Sequence, residues 1–214
     1  MKNKSLSDKA YDFILEKLFS GNLIPGDIIN RREIAAEIGV SISPVLEAMV
    51  RLESEGFIET IPRKGTQVKP LRKEHLKSEV LVREALECQA ARMCCGSRAK
   101  ENKEELRKLA EQADSFEDTD ERLRAEVAFH RKIVALIDQN VFLRIFDQIM
   151  QRGLFYRINR LLDAHDKEPK NSHVVLLKQL MTPDPDKAEK AMRAHVRSGR
   201  KNEIIENSFN VLSR

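Results

Sequence analysis

From residue 72 to residue 214 the chain carries one pattern: apolar side chains recur every three or four positions, with breaker residues between the runs. The spacing predicts helices near 73–98, 101–115, 119–138, 141–163, 170–181 and 185–211. Breaks fall at Gly96, at Asp118-Thr119, at Gln139-Asn140, at Pro169 and in the Pro-Asp-Pro-Asp run at 183–186. Asp184 before Pro185 is a helix start, because proline suits the first helical position. A stretch of this length built only of helices must bury its apolar stripes helix on helix. It is also long enough to hold a core of its own.

The first seventy residues have a different texture. Tyr11, Ile14, Leu15 and Leu18 place a helix over 6–20. Gly21 and Pro25-Gly26 interrupt it. Residues 31–38 form a short helix with Ile34, Ala35 and Ile38 on one face, closed by Gly39. Ser43 before Pro44 reads as the cap of a third helix, whose inner face is Val45, Ala48, Met49 and Leu52. Two short strands around Pro-Arg-Lys-Gly follow Gly56. We therefore expect a mostly α protein: residues 1–70 as a winged helix-turn-helix, and 71–214 as an all-helical antiparallel bundle.

Composition narrows the classes. Charged residues are 34% and aromatics 5%, with 8 Gly and 7 Pro among 214 residues, which favours helices over strands. An apolar content of 41% is too high for a disordered chain. No apolar run approaches the ~18 residues a membrane span needs, and the first twenty residues lack a secretory pattern. Cys88, Cys94 and Cys95 make an odd count without a Cys-x-x-Cys pair, as expected of reduced thiols in the cytoplasm. The net charge is +4, yet residues 1–70 hold 10 basic and 10 acidic groups. Bulk charge therefore does not locate a nucleic-acid-binding half.

The order helix, helix, turn, helix, hairpin places the third helix in the DNA major groove, N-terminal end first. Ser41 and Ser43 can reach phosphates at that end, Arg31 and Arg32 open the preceding helix, and Arg63, Lys64 and Gly65 form the wing tip. The stretch PGDIINRREIAAEIGVSISPVLEAMVRLESEGFIETIPRKGTQV resembles the N-terminal domain of the GntR family of bacterial transcription regulators. The resemblance implies operator DNA as a partner and Arg32 as a DNA-facing side chain. It also exposes two departures: Ile42 and Leu46 stand where the family's pattern has arginines. Arginine reads guanine through a bidentate contact. Ile42 and Leu46 lie four apart on one helix face. They either meet thymine methyls or leave the protein with a weakened operator.

In the second half, three histidines fall on apolar stripes. Leu123, Val127, His130, Val134 and Ile137 form one stripe; His173, Leu176, Leu177 and Leu180 form another; Ala188, Met192, His195 and Gly199 form a third. A single such histidine is most often a hydrogen-bonded core residue. Three on separate helices, with Glu126 one turn before His130, make a set suited to Zn²⁺, Ni²⁺ or Mn²⁺.

Residues 73–211 are similar to the FCD ligand-binding domain of the FadR subfamily, on the stretches EVAFHRKIVALIDQN, SHVVLLKQLM and DKAEKAMRAH. That resemblance implies Glu126, His130, His173 and His195 as ligands of a divalent metal, zinc first. Glu126 replaces the family's Asp, and Ser172 stands where a Glu is common. A small carboxylate effector near the metal is also implied. Arg83 matches a cavity arginine, although a salt bridge to Glu87 explains it as simply. Asn140 reads as a helix cap, and His75 and His165 as exposed.

The expectation is a homodimeric transcription regulator in the cytoplasm, with no enzyme activity; repression is the commoner mode in the family. Paired recognition helices about one DNA turn apart require the dimer. The alternatives are a metal-dependent helical enzyme, which would need a general base that no motif supplies, and a regulator whose metal is purely structural.

Overall fold

The computed structural model describes residues 4–70, 72–115, 119–158 and 172–198. Its elements are α1 (Leu6–Phe19), α2 (Arg31–Ile38), α3 (Ile42–Ser54), β1 (Ile58–Ile61), β2 (Gly65–Val68), α4 (Lys73–Cys94), α5 (Ser97–Glu101), α6 (Lys103–Ser115), α7 (Thr119–Ala135), α8 (Asn140–Ile158), α9 (His173–Leu180) and α10 (Pro185–Ser198). The chain is mostly helical and divides into two compact units. One comprises Met1–Arg72 with Arg152–Leu162, the other Lys73–Gln151 with Asp163–Arg214.

The first unit is the expected winged helix-turn-helix. A capping box starts α1: the Ser5 side chain accepts from the Asp8 amide, and the Asp8 carboxylate accepts from the Ser5 amide. Asn30 caps α2 by accepting from the Arg32 amide. Gly39, at φ 67° and ψ 39°, ends α2 in the left-handed conformation that glycine adopts most readily. The third helix starts two residues before the expected place, at Ile42 after Ser41. Pro44 sits inside its first turn, where a missing amide proton costs nothing because the first four have no intrahelical acceptor. Strands β1 and β2 pair antiparallel, Ile58 opposite Val68 and Ile61 opposite Gly65.

The core of this unit is built from Ile14, Leu18, Val45, Leu52, Phe57 and Ile58, all at most 1% exposed. Phe155, from the last turns of α8, belongs to the same core. It packs edge-on against Phe57 at 5.8 Å and Phe19 at 6.4 Å between ring centroids, a favoured aromatic arrangement. Arg152 donates to the Glu55 carbonyl at the end of α3 (2.8 Å).

The second unit is a helical bundle around Phe129, Ile133, Ile137, Phe146, Leu176, Leu180 and Met192. Helix α7 packs on α6 and α4, and α10 packs on α4 and α9. The helix expected over 73–98 stops at Cys94 and restarts at Ser97. The cause is Gly96, at φ 71°. A Cβ there would come within 3.3 Å of the Pro183 Cα and 3.4 Å of the Thr182 carbonyl oxygen. Asp184 caps α10, its Oδ1 accepting from Asp186 (3.0 Å) and Lys187 (3.2 Å). Asn140 is the first residue of α8, and His75 is half-buried on α4 rather than exposed. His165, Gly199 and the expected helical continuations beyond 158 and 198 lie outside the described residues.

Candidate metal centre and nucleic-acid face

Three helices each bring one histidine to a common point in the second unit. His130 comes from the middle of α7, His173 opens α9 and His195 lies near the end of α10. Their exposures are 0%, 5% and 8%. The rings are 5.4 Å apart between His130 and His173, 5.2 Å between His130 and His195, and 4.6 Å between His173 and His195. One ring nitrogen from each lies within 4.8 Å of the other two.

These nitrogens are orphaned. His130 Nε2, His173 Nε2 and His195 Nδ1 are buried without a hydrogen-bond partner. A buried polar atom without a partner costs roughly 1–3 kcal/mol. Unpartnered imidazole nitrogens on three clustered residues are relieved together by a shared cation, so the donor set fits a divalent metal that prefers imidazole.

Two carboxylates lie against the rings, and neither was singled out as a site residue from the sequence. Asp114, near the end of α6, accepts from the His173 backbone amide (2.9 Å) and from its ring Nδ1 (2.8 Å). An ionised carboxylate only accepts, so Nδ1 carries the proton and Nε2 keeps its lone pair for the centre. Asp114 also takes the Ser172 hydroxyl hydrogen and the Val174 amide (3.1 Å). On α4, Glu87 Oε2 lies 2.8 Å from His130 Nδ1, an ion-pair separation that misses hydrogen-bond alignment. The signal for Glu87 was its helical spacing from Arg83. Nothing local announces Asp114, which lies 59 residues before His173.

Charge follows from these neighbours. Burial lowers the His195 pKa to about 3, with further lowering from His130 and His173. Burial, then His130, lowers that of His173 against the opposing pull of Asp114. His173 and His195 are therefore held neutral, the form that binds metal. Burial alone would raise the carboxyl of Asp114, but the hydrogen bonds from Ser172, His173 and Val174 outweigh it and hold it low. In Glu87 burial is likewise overcome, by Arg83 and then His130, and the group stays ionised.

Glu126 lies one turn before His130 but outside the cluster of three converging nitrogens. Its Oε1 is 3.4 Å from Arg83 Nη2. Arg83 is itself buried at 5% exposure and pairs through Nε with Glu87. The salt bridge expected between Arg83 and Glu87 is thus present.

In the first unit, Arg31, Arg32, Ser41, Ile42, Ser43, Leu46, Arg63, Lys64 and Gly65 are all exposed. None of the four cations makes an ion pair among the described residues. Arg63 holds φ 67° at the wing tip, a left-handed conformation that costs a residue with a Cβ about 1–2 kcal/mol.

Comparison with known proteins agrees with both halves. Residues 6–68 match the family model of bacterial regulatory proteins of the gntR family, and residues 80–198 match the FCD domain. A protein of Paenarthrobacter nicotinovorans named "Probable D-xylose utilization operon transcriptional repressor" is 28% identical over 194 residues, covering 90% of this chain and 86% of that one. The Nta operon transcriptional regulator of Aminobacter aminovorans is 34% identical over 135 residues, 62% of this chain and 64% of that one.

Among solved structures, a GntR transcriptional regulator from Rhodococcus sp. RHA1 superposes with a TM-score of 0.66 at 15% identity, over 98% of this chain and 99% of that one. Escherichia coli McbR/YncC does so with a TM-score of 0.62 at 20% identity, over 99% and 98%; at these identities they speak for the fold. The chain is a transcriptional regulator that belongs to the GntR family of bacterial regulatory proteins, with an FCD domain as its second half.

Proposed function

We propose that this regulator binds operator DNA as a homodimer in the cytoplasm and represses transcription. Helix α3 enters the major groove, Arg31, Arg32, Arg63 and Lys64 take phosphates, and Ser41 and Ser43 sit at the groove edge. His130, His173 and His195 hold one divalent transition metal, zinc before nickel or manganese, and Glu126 supplies a fourth ligand. When bound, the ion supplies a fixed positive charge beside which a small carboxylate effector can sit. Arg83 adds a guanidinium to that site by exchanging its contact with Glu126 for the effector. Effector binding then shifts the population between placements of the DNA-binding units.

The observation that carries this reading is the convergence of three orphaned, buried imidazole nitrogens from three helices. The experiment compares zinc-loaded and chelator-stripped chain in thermal melts with small mono-, di- and tricarboxylates, and in binding to a duplex selected from random DNA. The expected result is that a carboxylate raises the melting temperature of the loaded chain alone and changes its DNA affinity. The near-complete burial of all three histidines favours a second reading, a purely structural metal. Its signature is unfolding on chelation with no carboxylate shifting the melt.

A further inference from the structure

Helix α3 presents an unusual face for an element that enters a groove of DNA. Its inner side is buried through Val45, Ala48, Met49 and Leu52. Its outer side carries Ile42, Leu46 and Val50, at 39%, 40% and 67% exposure. Single exposed apolar residues are ordinary. These three follow one another at four-residue spacing, so they form one continuous ridge starting at the helix's first residue.

No ridge position carries a cation. Arg31 and Arg32 lie exposed at the start of α2, and Arg63 and Lys64 at the wing tip. The only cation of α3 itself is Arg51, near its far end. That guanidinium lies 3.7 Å from the centroid of the Tyr11 ring and pairs with Glu55 (3.1 Å) and Asp8 (3.5 Å). The only charged group in the first two turns is Glu47, an acceptor. Guanine offers two acceptors, O6 and N7, to the major groove, and α3 has no cation with which to clasp them. Thymine alone among the four bases offers a methyl group there.

We propose that Ile42 and Leu46 read the operator by apolar contact with thymine C5-methyl groups, so that the base pairs facing α3 are A·T. This rests on the DNA-binding reading above and specifies what that surface recognises. Phosphate contacts from the flanking cations set register and affinity, and the apolar ridge sets sequence.

The test begins with duplexes selected from a random pool by the full chain. Each thymine in the selected site is then replaced by deoxyuridine, which deletes the methyl group and keeps the pairing. Burying a single methyl corresponds to a loss of about three- to fivefold in affinity. We expect that loss at one or more thymines of each half-site, and we expect it to vanish in Ile42→Ala/Leu46→Ala, whose melting temperature changes little because both side chains lie on the outer face of α3, away from its buried residues. Equal binding of thymine and deoxyuridine duplexes by the parent chain overturns the proposal. So does a selected half-site built on guanines, and both outcomes leave DNA binding standing. Failure to enrich any duplex at low salt overturns the DNA-binding reading as well.

Discussion

In the first unit the side chains assigned to function lie on the surface, over a core that would be the same without them. In the second unit they are part of the core: His130, His173 and His195 occupy positions that leucine or valine would otherwise fill on apolar stripes. The contrast separates two kinds of variant. Changing a surface residue of the first unit should alter DNA binding and leave folding alone. Changing a residue around the second unit's histidines should alter folding, metal affinity and regulation together.

The strongest test of that separation is Glu87→Ala. It leaves Arg83, at 5% exposure, without its Nε partner. Removing one partner of a buried ion pair costs about 3–5 kcal/mol, and the longer contact of Arg83 with Glu126 at 3.4 Å offsets only part of it. Chemical denaturation should show a loss of that order, with the first unit's contribution to the transition unchanged. A loss below about 1 kcal/mol would break the comparison, because the second unit's interior would then behave as surface. Asp114→Asn should follow. It keeps the shape but no longer supplies an acceptor on both oxygens, and orienting partners of metal-bound histidines are typically worth 10- to 100-fold in metal affinity. Competition with a zinc chelator measures it.

The pH dependence sharpens the same contrast in the metal-free chain. His195 has a folded pKa of about 3 and an unfolded value near 6.5, so folding expels a proton whenever the pH lies between them. Stability from this group is complete above about pH 6.5 and falls by up to about 1.4 kcal/mol per pH unit below it, levelling near pH 3. His173 is lowered too and adds in the same direction. His195→Gln should flatten the slope in denaturation measured from pH 7 to pH 4. An unchanged slope would mean that other groups control acid lability.

The smallest effects on folding are expected in the first unit. Arg32→Ala and Arg63→Gly should each weaken DNA binding and lower the slope of log affinity against log salt by about 1. Both should keep stability within about 0.5 kcal/mol. At Arg63 glycine removes the strain of φ 67° while adding disorder to the unfolded chain.

This surface–core division also explains what was legible in the sequence. Helix-turn-helix and wing are local structures, so Gly39 and the Arg63–Gly65 turn announce them within a few residues. The start of α3 was misplaced by two because Ser-Pro mimics a cap, whereas the first turn tolerates proline anywhere its amide is unused. The three histidines were legible through helical periodicity alone. Their partners were not: Asp114 reaches His173 across 59 residues, a distance set by packing of α6 against α9 and invisible to any spacing rule. The break at Gly96 was legible from the glycine itself, whereas the grouping of Phe155 with the first unit's core is tertiary, set by its packing on Phe19 and Phe57.

In the function proposed above, the second unit's core is built around a metal. The most direct test is elemental analysis of the purified chain beside its His130→Ala/His195→Ala variant. The account predicts about one divalent transition metal per chain in the parent and none retained in the variant. Metal-free parent protein that also fails to take up zinc, or a metal content that survives both substitutions, would contradict it.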